Sequence, residues 1–531
     1  MPYFRTPAHL ALLPLLAASF ASGCQQTAAP APEAVFPYQE TGIAELQARM
    51  TAGELDSTTL TEAYLGRIAL LDHAGPTLRS VVEINPDARR EAAQRDAERR
   101  AGRVRGPLHG MPILLKDNIG ATPMHNTAGS LALKDFRPER DAFLVQRLRQ
   151  AGAVILGKTN LSEWANFRSP RSTSGWSAVG GQTRNPYALD HNPCGSSSGS
   201  AVAVAASLAA AAVGTETDGS IVCPAAVNGI VGFKPTVGLV SRDGIIPLSF
   251  SQDTAGPMAR TVADAALLLG AMAGRDEADP ATAATPGRAV YDYGARLHGD
   301  ALRGARIGVL RNALSDHPAI RPVLDQAVAT LRAAGATVVE TRLVNEDAWA
   351  RDELTVLLHE FKAGLERYFR EWRTPVDSLD AVIAFNRAHA SRELAFFGQE
   401  LLEQARDSGS LNDPAYIAAR ANARRLAGPE GIDATLRADR LDALVAATSG
   451  PAWLTALGDG DGYPDGNYGA AAVAGYPSLS VPMGHANGLP LGLLFMGGAW
   501  SDARLLELGH TYEQLTRARR PPTFASGRTP P

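Results

Sequence analysis

Two short loops of serine and glycine hold the residues best suited to chemistry. They are Gly195-Ser196-Ser197-Ser198-Gly199-Ser200 and Gly214-Thr215-Glu216-Thr217-Asp218-Gly219-Ser220. The first matches G-x-S-x-G, with Ser197 in the nucleophile slot. That turn requires a strand directly before it. The preceding stretch from Arg184 to Pro193 is loop material with two prolines, Pro186 and Pro193, so the elbow reading fails. A flexible linker is also excluded, because the loop runs straight into an apolar segment at Ala201. What remains is a polar, glycine-lined loop at a helix N-terminus. In the second loop Ser220 follows Gly219 with backbone donors nearby, as a nucleophile would, but serine is weak without a base. The eleven histidines are scattered, and none lies in a glycine-rich or strand-end context that marks it as a triad partner. A lysine can replace histidine where burial disfavours its charged form. Lys116, in Gly110-Met111-Pro112-Ile113-Leu114-Leu115-Lys116-Asp117-Asn118, is the candidate base, although by itself it also fits an ordinary turn lysine.

These residues need a frame, and the patterning predicts α/β. A helix with Leu60, Tyr64, Ile68 and Leu71 on one face precedes the run Met111 to Leu115, read as a buried strand that delivers Lys116 at its end. A helix carrying Phe143, Leu144, Leu148 and Ala151 stops at Gly152, and Ala153 to Leu156 follow as a strand. Ala201 to Ala212, almost all small residues, reads as a core helix packed on every side. The alternation continues through strands at Ala305 to Leu310 and Thr337 to Glu340, with a helix from Ile320 to Ala334 between them. Residues 345–426 read as a helical insertion carrying Phe361, Tyr368, Phe369 and Trp372. Strands resume at Leu441 to Ala446, Ser478 to Val481 and Leu491 to Met496.

Composition is consistent with a large core: 531 residues, 45% hydrophobic and 20% charged. The net charge of −4 and the lack of any basic block beyond the paired arginines between Arg89 and Arg105 exclude a nucleic-acid footprint. At the N-terminus Arg5 precedes the apolar run Leu10 to Phe20, which is too short for a comfortable bilayer span. Residues 1–24 are expected to be an export signal, ending in Ala21-Ser22-Gly23-Cys24, which resembles a lipobox. The expected location is the periplasm or cell envelope, with a lipid anchor on Cys24 left open. Residues 25–37, rich in Ala and Pro, read as a tether. Cys194 and Cys223 flank the two serine loops; buried free thiols are the expected state, with a disulfide as the alternative.

Taken together, the G-x-P-x-x-x-K-D strand end, the serine and glycine loop and the Thr-Asp-Gly-Ser loop resemble the amidase signature family. Supporting stretches are Gly180 to Pro186, Asp253 to Arg260 and Ala474 to Pro482. The resemblance implies an amidase signature fold, a large mixed β-sheet sandwiched between helices, in a single domain over about 38–520. It further implies that Ser220 attacks an amide carbonyl, that Ser196 relays its proton through an unusual cis peptide, and that neutral Lys116 is the final base. Backbone N–H groups of Thr217, Asp218, Gly219 and Ser220 would hold the oxyanion. No cofactor, metal or protein partner is implied. Asp218 stands where glycine is usual in the family, either recognising substrate or capping the loop. Within the family the resemblance is to the bacterial peptide amidases, through Asn192 to Ser200, Thr215 to Pro224 and Glu360 to Phe369. The implied reaction converts a peptide C-terminal amide to a carboxylate and ammonia. Alternatives are a fatty-acyl or aryl amidase, a tRNA-dependent amidotransferase component, whose cytoplasmic work fits the leader poorly, and a non-catalytic envelope binding lipoprotein, against which the intact Lys116, Ser196 and Ser220 argue.

Overall fold

The computed structural model describes residues 36–462 and 466–527. The expected leader, Cys24 and nearly all of the expected tether lie outside the described residues. In chain order the strands are β1 (Val81–Ile84), β2 (Pro112–Lys116), β3 (Val154–Thr159), β4 (Trp176–Ser177), β5 (Gly181–Gln182), β6 (Ala211–Glu216), β7 (Val231–Lys234), β8 (Thr254–Ala259), β9 (Arg306–Leu310), β10 (Thr337–Thr341), β11 (Ala443–Ala447), β12 (Ser478–Ala486) and β13 (Leu489–Met496). Eleven of them build one sheet in the order β1-β3-β2-β6-β8-β7-β12-β13-β11-β9-β10, and β4 pairs with β5 alone. The sheet is mixed. Strands β3, β2 and β6 are mutually parallel, as are β11, β9 and β10, while β8, β7, β12 and β13 run antiparallel to their neighbours.

Helices cover both faces, as the alternation along β12 shows. Leu479 and Val481 point at Gly509 in helix Asp502–Thr516, whereas Ser480 between them lies over Gly492 beside Ala226 of helix Val222–Val227. Strands buried on both faces need continuous apolar runs, and β2, β3, β6, β11 and β13 are buried along their whole length. Between β10 and β11 the chain is helical, in Ala350–Trp372, Leu379–Ala388, Ala390–Glu393, Glu400–Asp407, Pro414–Ala427 and Asp433–Asp439. Phe361, Leu365, Tyr368, Phe369 and Trp372 of its longest helix pack with Trp164, Phe167 and Ile246 in a core cluster of their own. Among the described residues no helix is long and apolar enough to cross a membrane.

The core helix read over Ala201 to Ala212 is a helix only over Ser198–Ala205. The chain then turns at Ser207, with φ at +55°, and Ala211 already belongs to β6. A run of small apolar residues has no period that separates buried helix from buried strand.

Candidate active site

The site lies where two adjacent parallel strands end. Ile113, Leu114 and Leu115 of β2 pair with Ala211, Ala212 and Val213 of β6. Lys116 and the loop after Glu216 therefore emerge at one edge of the sheet, the usual position for ligand chemistry in such folds. Ser196 reaches the same point from the loop that opens helix Ser198–Ala205. That helix can press against the sheet region because Gly199 has no Cβ; one built there would lie 2.3 Å from the Ser80 carbonyl oxygen.

Lys116 is fully buried. Its Nζ donates to Ser196 Oγ at 2.8 Å, to Thr215 Oγ1 at 2.9 Å and to the Thr215 carbonyl at 3.1 Å. Asn118 Nδ2 holds Thr215 Oγ1 from the other side at 3.0 Å. Burial brings the lysine down to about 7, against the opposing charges of Asp253 and Glu216. The peptide bond between Gly195 and Ser196 is cis. Ser196 and Ser220 are both buried, and the N–H of Ser197 donates to the Ser220 carbonyl at 3.1 Å, joining the two loops. Gly219 has φ of +73°, and a Cβ there would meet the Tyr468 ring at 2.3 Å. Both the turn and this close approach require glycine. The structure thus brings Lys116, Ser196 and the loop from Thr217 to Ser220 into one place.

Ser197 has a different task. Its Oγ donates to the Thr215 carbonyl at 2.9 Å and accepts from the Thr215 N–H at 3.2 Å, tying the serine loop to β6. Histidines engage other groups: His109 the Arg95 carbonyl, His125 Glu83, His191 Asp190 and His359 the Thr355 carbonyl.

Several residues to which the sequence assigns no role support the site. Glu216, buried, accepts from the N–H groups of Ile221 at 2.7 Å and Val222 at 3.0 Å and so holds the loop that carries Ser220. Asp253 accepts from Thr217 Oγ1 at 2.6 Å and from the N–H groups of Leu248 and Ser249, and burial lifts its carboxyl to about 6. Asp117, next to Lys116, is ion-paired with buried Lys158 at 2.9 Å. Lys158 also donates to the His125 carbonyl at 2.9 Å and to Asn126 Oδ1 at 3.1 Å. A cavity of about 440 Å³ reaches the site at Asn118, Thr215 and Thr217 and extends to Tyr368 and Trp372 of the helical segment. It runs beside the relay, and its lining does not include Ser220.

The two cysteines form a disulfide, with Cα atoms 6.1 Å apart, where free thiols were expected. Their flanking loops converge on the site, which brings Cys194 and Cys223 together in an apolar cluster with Tyr187, Val222 and Val227. A sequence separation of 29 residues gives no sign of this in one dimension.

Comparison with known proteins agrees with this geometry. Residues 59–506 match the family model described as Amidase. A probable amidase of Arabidopsis thaliana is 38% identical over 502 residues, covering 92% of each chain. Among solved structures, the native peptide amidase from Stenotrophomonas maltophilia superposes with a TM-score of 0.90 at 68% identity, covering 92% of this chain and 99% of that one. A peptide amidase in complex with the competitive inhibitor chymostatin gives 0.91 at 68% identity, covering 92% of this chain and 100% of that one. With the motifs, the mixed sheet and the match over most of its length in agreement, the chain belongs to the amidase family.

Proposed function

We propose that the protein is a peptide amidase that hydrolyses the C-terminal carboxamide of peptides. The observation that carries the chemistry is the fully buried Lys116, whose Nζ lies 2.8 Å from Ser196 Oγ beside the Thr217 to Ser220 loop. The substrate class is supported by the 68% identity to peptide amidases over 92% of the chain. In this reading neutral Lys116 takes the proton of Ser196 Oγ as Ser196 takes that of Ser220. Ser220 Oγ bonds to the amide carbon, and the N–H groups of the Thr217 to Ser220 loop receive the oxyanion. Collapse breaks the C–N bond, and the relay delivers the proton to departing ammonia. Water then attacks the acyl-enzyme by the same route in reverse, giving the free carboxylate. No cofactor or metal enters these steps.

We place the enzyme outside the cytoplasm. The reading of residues 1–24 as an export signal supports this, as does the Cys194–Cys223 disulfide, since such bonds persist in oxidising compartments. Mass spectrometry of the mature N-terminus tests both export and lipidation of Cys24.

The reaction is tested by ammonia release from a panel of amidated peptides, free Asn and Gln, fatty-acyl amides and anilides. Peptide amides are expected to be the best substrates by kcat/KM. Inactivity on all of them would overturn the peptide assignment, and failure of a fluorophosphonate to label Ser220 would overturn the serine mechanism.

A further inference from the structure

The nucleophile loop is held by a residue from the helical segment. Glu353, in the first turn of helix Ala350–Trp372, accepts from Gln252 Nε2 at 2.8 Å, and the same amide nitrogen lies 3.3 Å from the Thr217 carbonyl. The Glu353 carboxyl also lies within hydrogen-bonding reach of Asp218. Asp218 Oδ1 is buried and receives no N–H or O–H donor among the described residues. A buried acceptor without a donor is costly. When the group facing it is a second carboxyl, a proton held between the two satisfies both.

We propose that Glu353 is a positioning residue for the reaction: with Asp218 and Gln252 it forms a bridge from the helical segment that fixes the loop bearing Thr217, Asp218, Gly219 and Ser220. This assigns Asp218 a part in loop geometry and explains why a carboxylate stands where the family commonly has glycine. Glycine there would leave Glu353 without its carboxyl partner and the loop tied to the helix through Gln252 alone.

The bridge carries a pH dependence. Burial holds Glu353 up at about 7 and Asp218 well above the usual carboxylate range, so the pair keeps at least one proton at neutral pH and titrates as a unit. Other charged groups face it. Glu216 disfavours ionisation of Asp218, and Lys234 of β7 favours it. Asp253 is engaged by Thr217. On helix Pro414–Ala427, Arg420 and Arg424 line the cavity beside Gln252, Arg420 lying 3.9 Å from Glu360. On the bridge's own helix, Asp352 is held by Asn422. Loss of the last shared proton sets two carboxylates against each other and releases the loop, which gives activity an alkaline limb.

The inference rests on Ser220 being the nucleophile, so it is tested with two readouts: kcat and KM on a peptide amide from pH 5 to 10, and the rate of Ser220 labelling by a fluorophosphonate. Glu353→Ala is expected to lower kcat and the labelling rate at least tenfold, with KM changed less than threefold. Glu353→Gln replaces the acid proton with an amide donor; it is expected to restore both rates to within about threefold of wild type and to lack the wild-type alkaline limb. Wild-type rates in Glu353→Ala would overturn the proposal, as would an unchanged alkaline limb in Glu353→Gln. Should Glu353→Ala fail to fold, Glu353→Gln decides alone. A wild-type enzyme that labels at Ser220 but cleaves no peptide amide would sink the substrate reading and leave the labelling comparison in force.

Discussion

At the scale of single residues the proposed mechanism depends on keeping one lysine neutral. With burial holding Lys116 at about 7, the protonated, inactive form gains as pH falls, so kcat/KM is expected to rise tenfold per pH unit below about 6 and to level off at about 7, ahead of the alkaline limb set by the Asp218 and Glu353 pair. Lys116→Ala is expected to lower kcat by at least about 1000-fold while circular dichroism and the melting temperature stay close to wild type. Activity surviving in that variant would exclude the lysine as base. The neighbouring serines separate by a simple contrast. Ser196→Ala removes the hydroxyl that hydrogen-bonds Lys116 and relays the proton, and should abolish turnover. Ser197→Ala leaves the buried N–H and carbonyl of Thr215 without their hydroxyl partner, a cost of about 1–3 kcal/mol. Urea titration should show that loss of stability in Ser197→Ala, and Ser220 should still be labelled by a fluorophosphonate. A Ser197 variant of native stability with no labelling would reverse these roles.

At the scale of elements, the disulfide joins the relay loop to the start of helix Val222–Val227, one cysteine two residues before Ser196 and the other three after Ser220. Closing a loop of this length removes about 3–4 kcal/mol of unfolded-state entropy. The Cys194→Ala, Cys223→Ala double variant is therefore expected to lose about 2–4 kcal/mol in urea unfolding. Dithiothreitol should bring the wild type to the same midpoint, and an equal midpoint with and without reductant would show that the bond contributes nothing. How far such features can be read in one dimension depends on their range. Lys116, Ser196 and Ser220 were legible because each stands in a short motif whose glycines and prolines signal the local backbone. Strands β2, β3, β9 and β13 were legible as apolar runs between clear breaks. Strands β7 and β8 were not, because Val231–Lys234 is short and Thr254–Ala259 carries a proline and a glycine. The Ala201 to Ala212 run was misread because small residues suit both element types. Glu353 and Gln252 reach the Thr217 to Ser220 loop only through tertiary packing, and nothing in their sequence neighbourhoods distinguishes them from solvated polar residues; Asp253 opens a stretch shared with the family, but its contact with Thr217 is likewise visible only in the fold.

At the scale of the whole molecule the sheet buries titratable groups well away from the site, and these set how stability responds to pH. Glu513, on helix Asp502–Thr516, accepts from the Val262 N–H at 2.9 Å through Oε1, which ties that helix to the start of helix Val262–Met272. Its Oε2 is buried. Burial raises this carboxyl to about 8, with Asp264 adding to the rise and Arg519 opposing it. Because the folded value lies above the unfolded one, the contribution is fully present below about pH 4.5 and is lost as pH rises toward about 8. Glu513→Gln keeps the acceptor for Val262 and cannot ionise. In urea titrations the variant should match wild type within about 0.5 kcal/mol at pH 4 and exceed it by at least about 1 kcal/mol at pH 8.5, each pKa unit being worth about 1.4 kcal/mol before screening. A stability difference of the same size at both pH values would show that ionisation of Glu513 does not set the slope, and that the hydrogen bond to Val262 alone accounts for its place between the two helices.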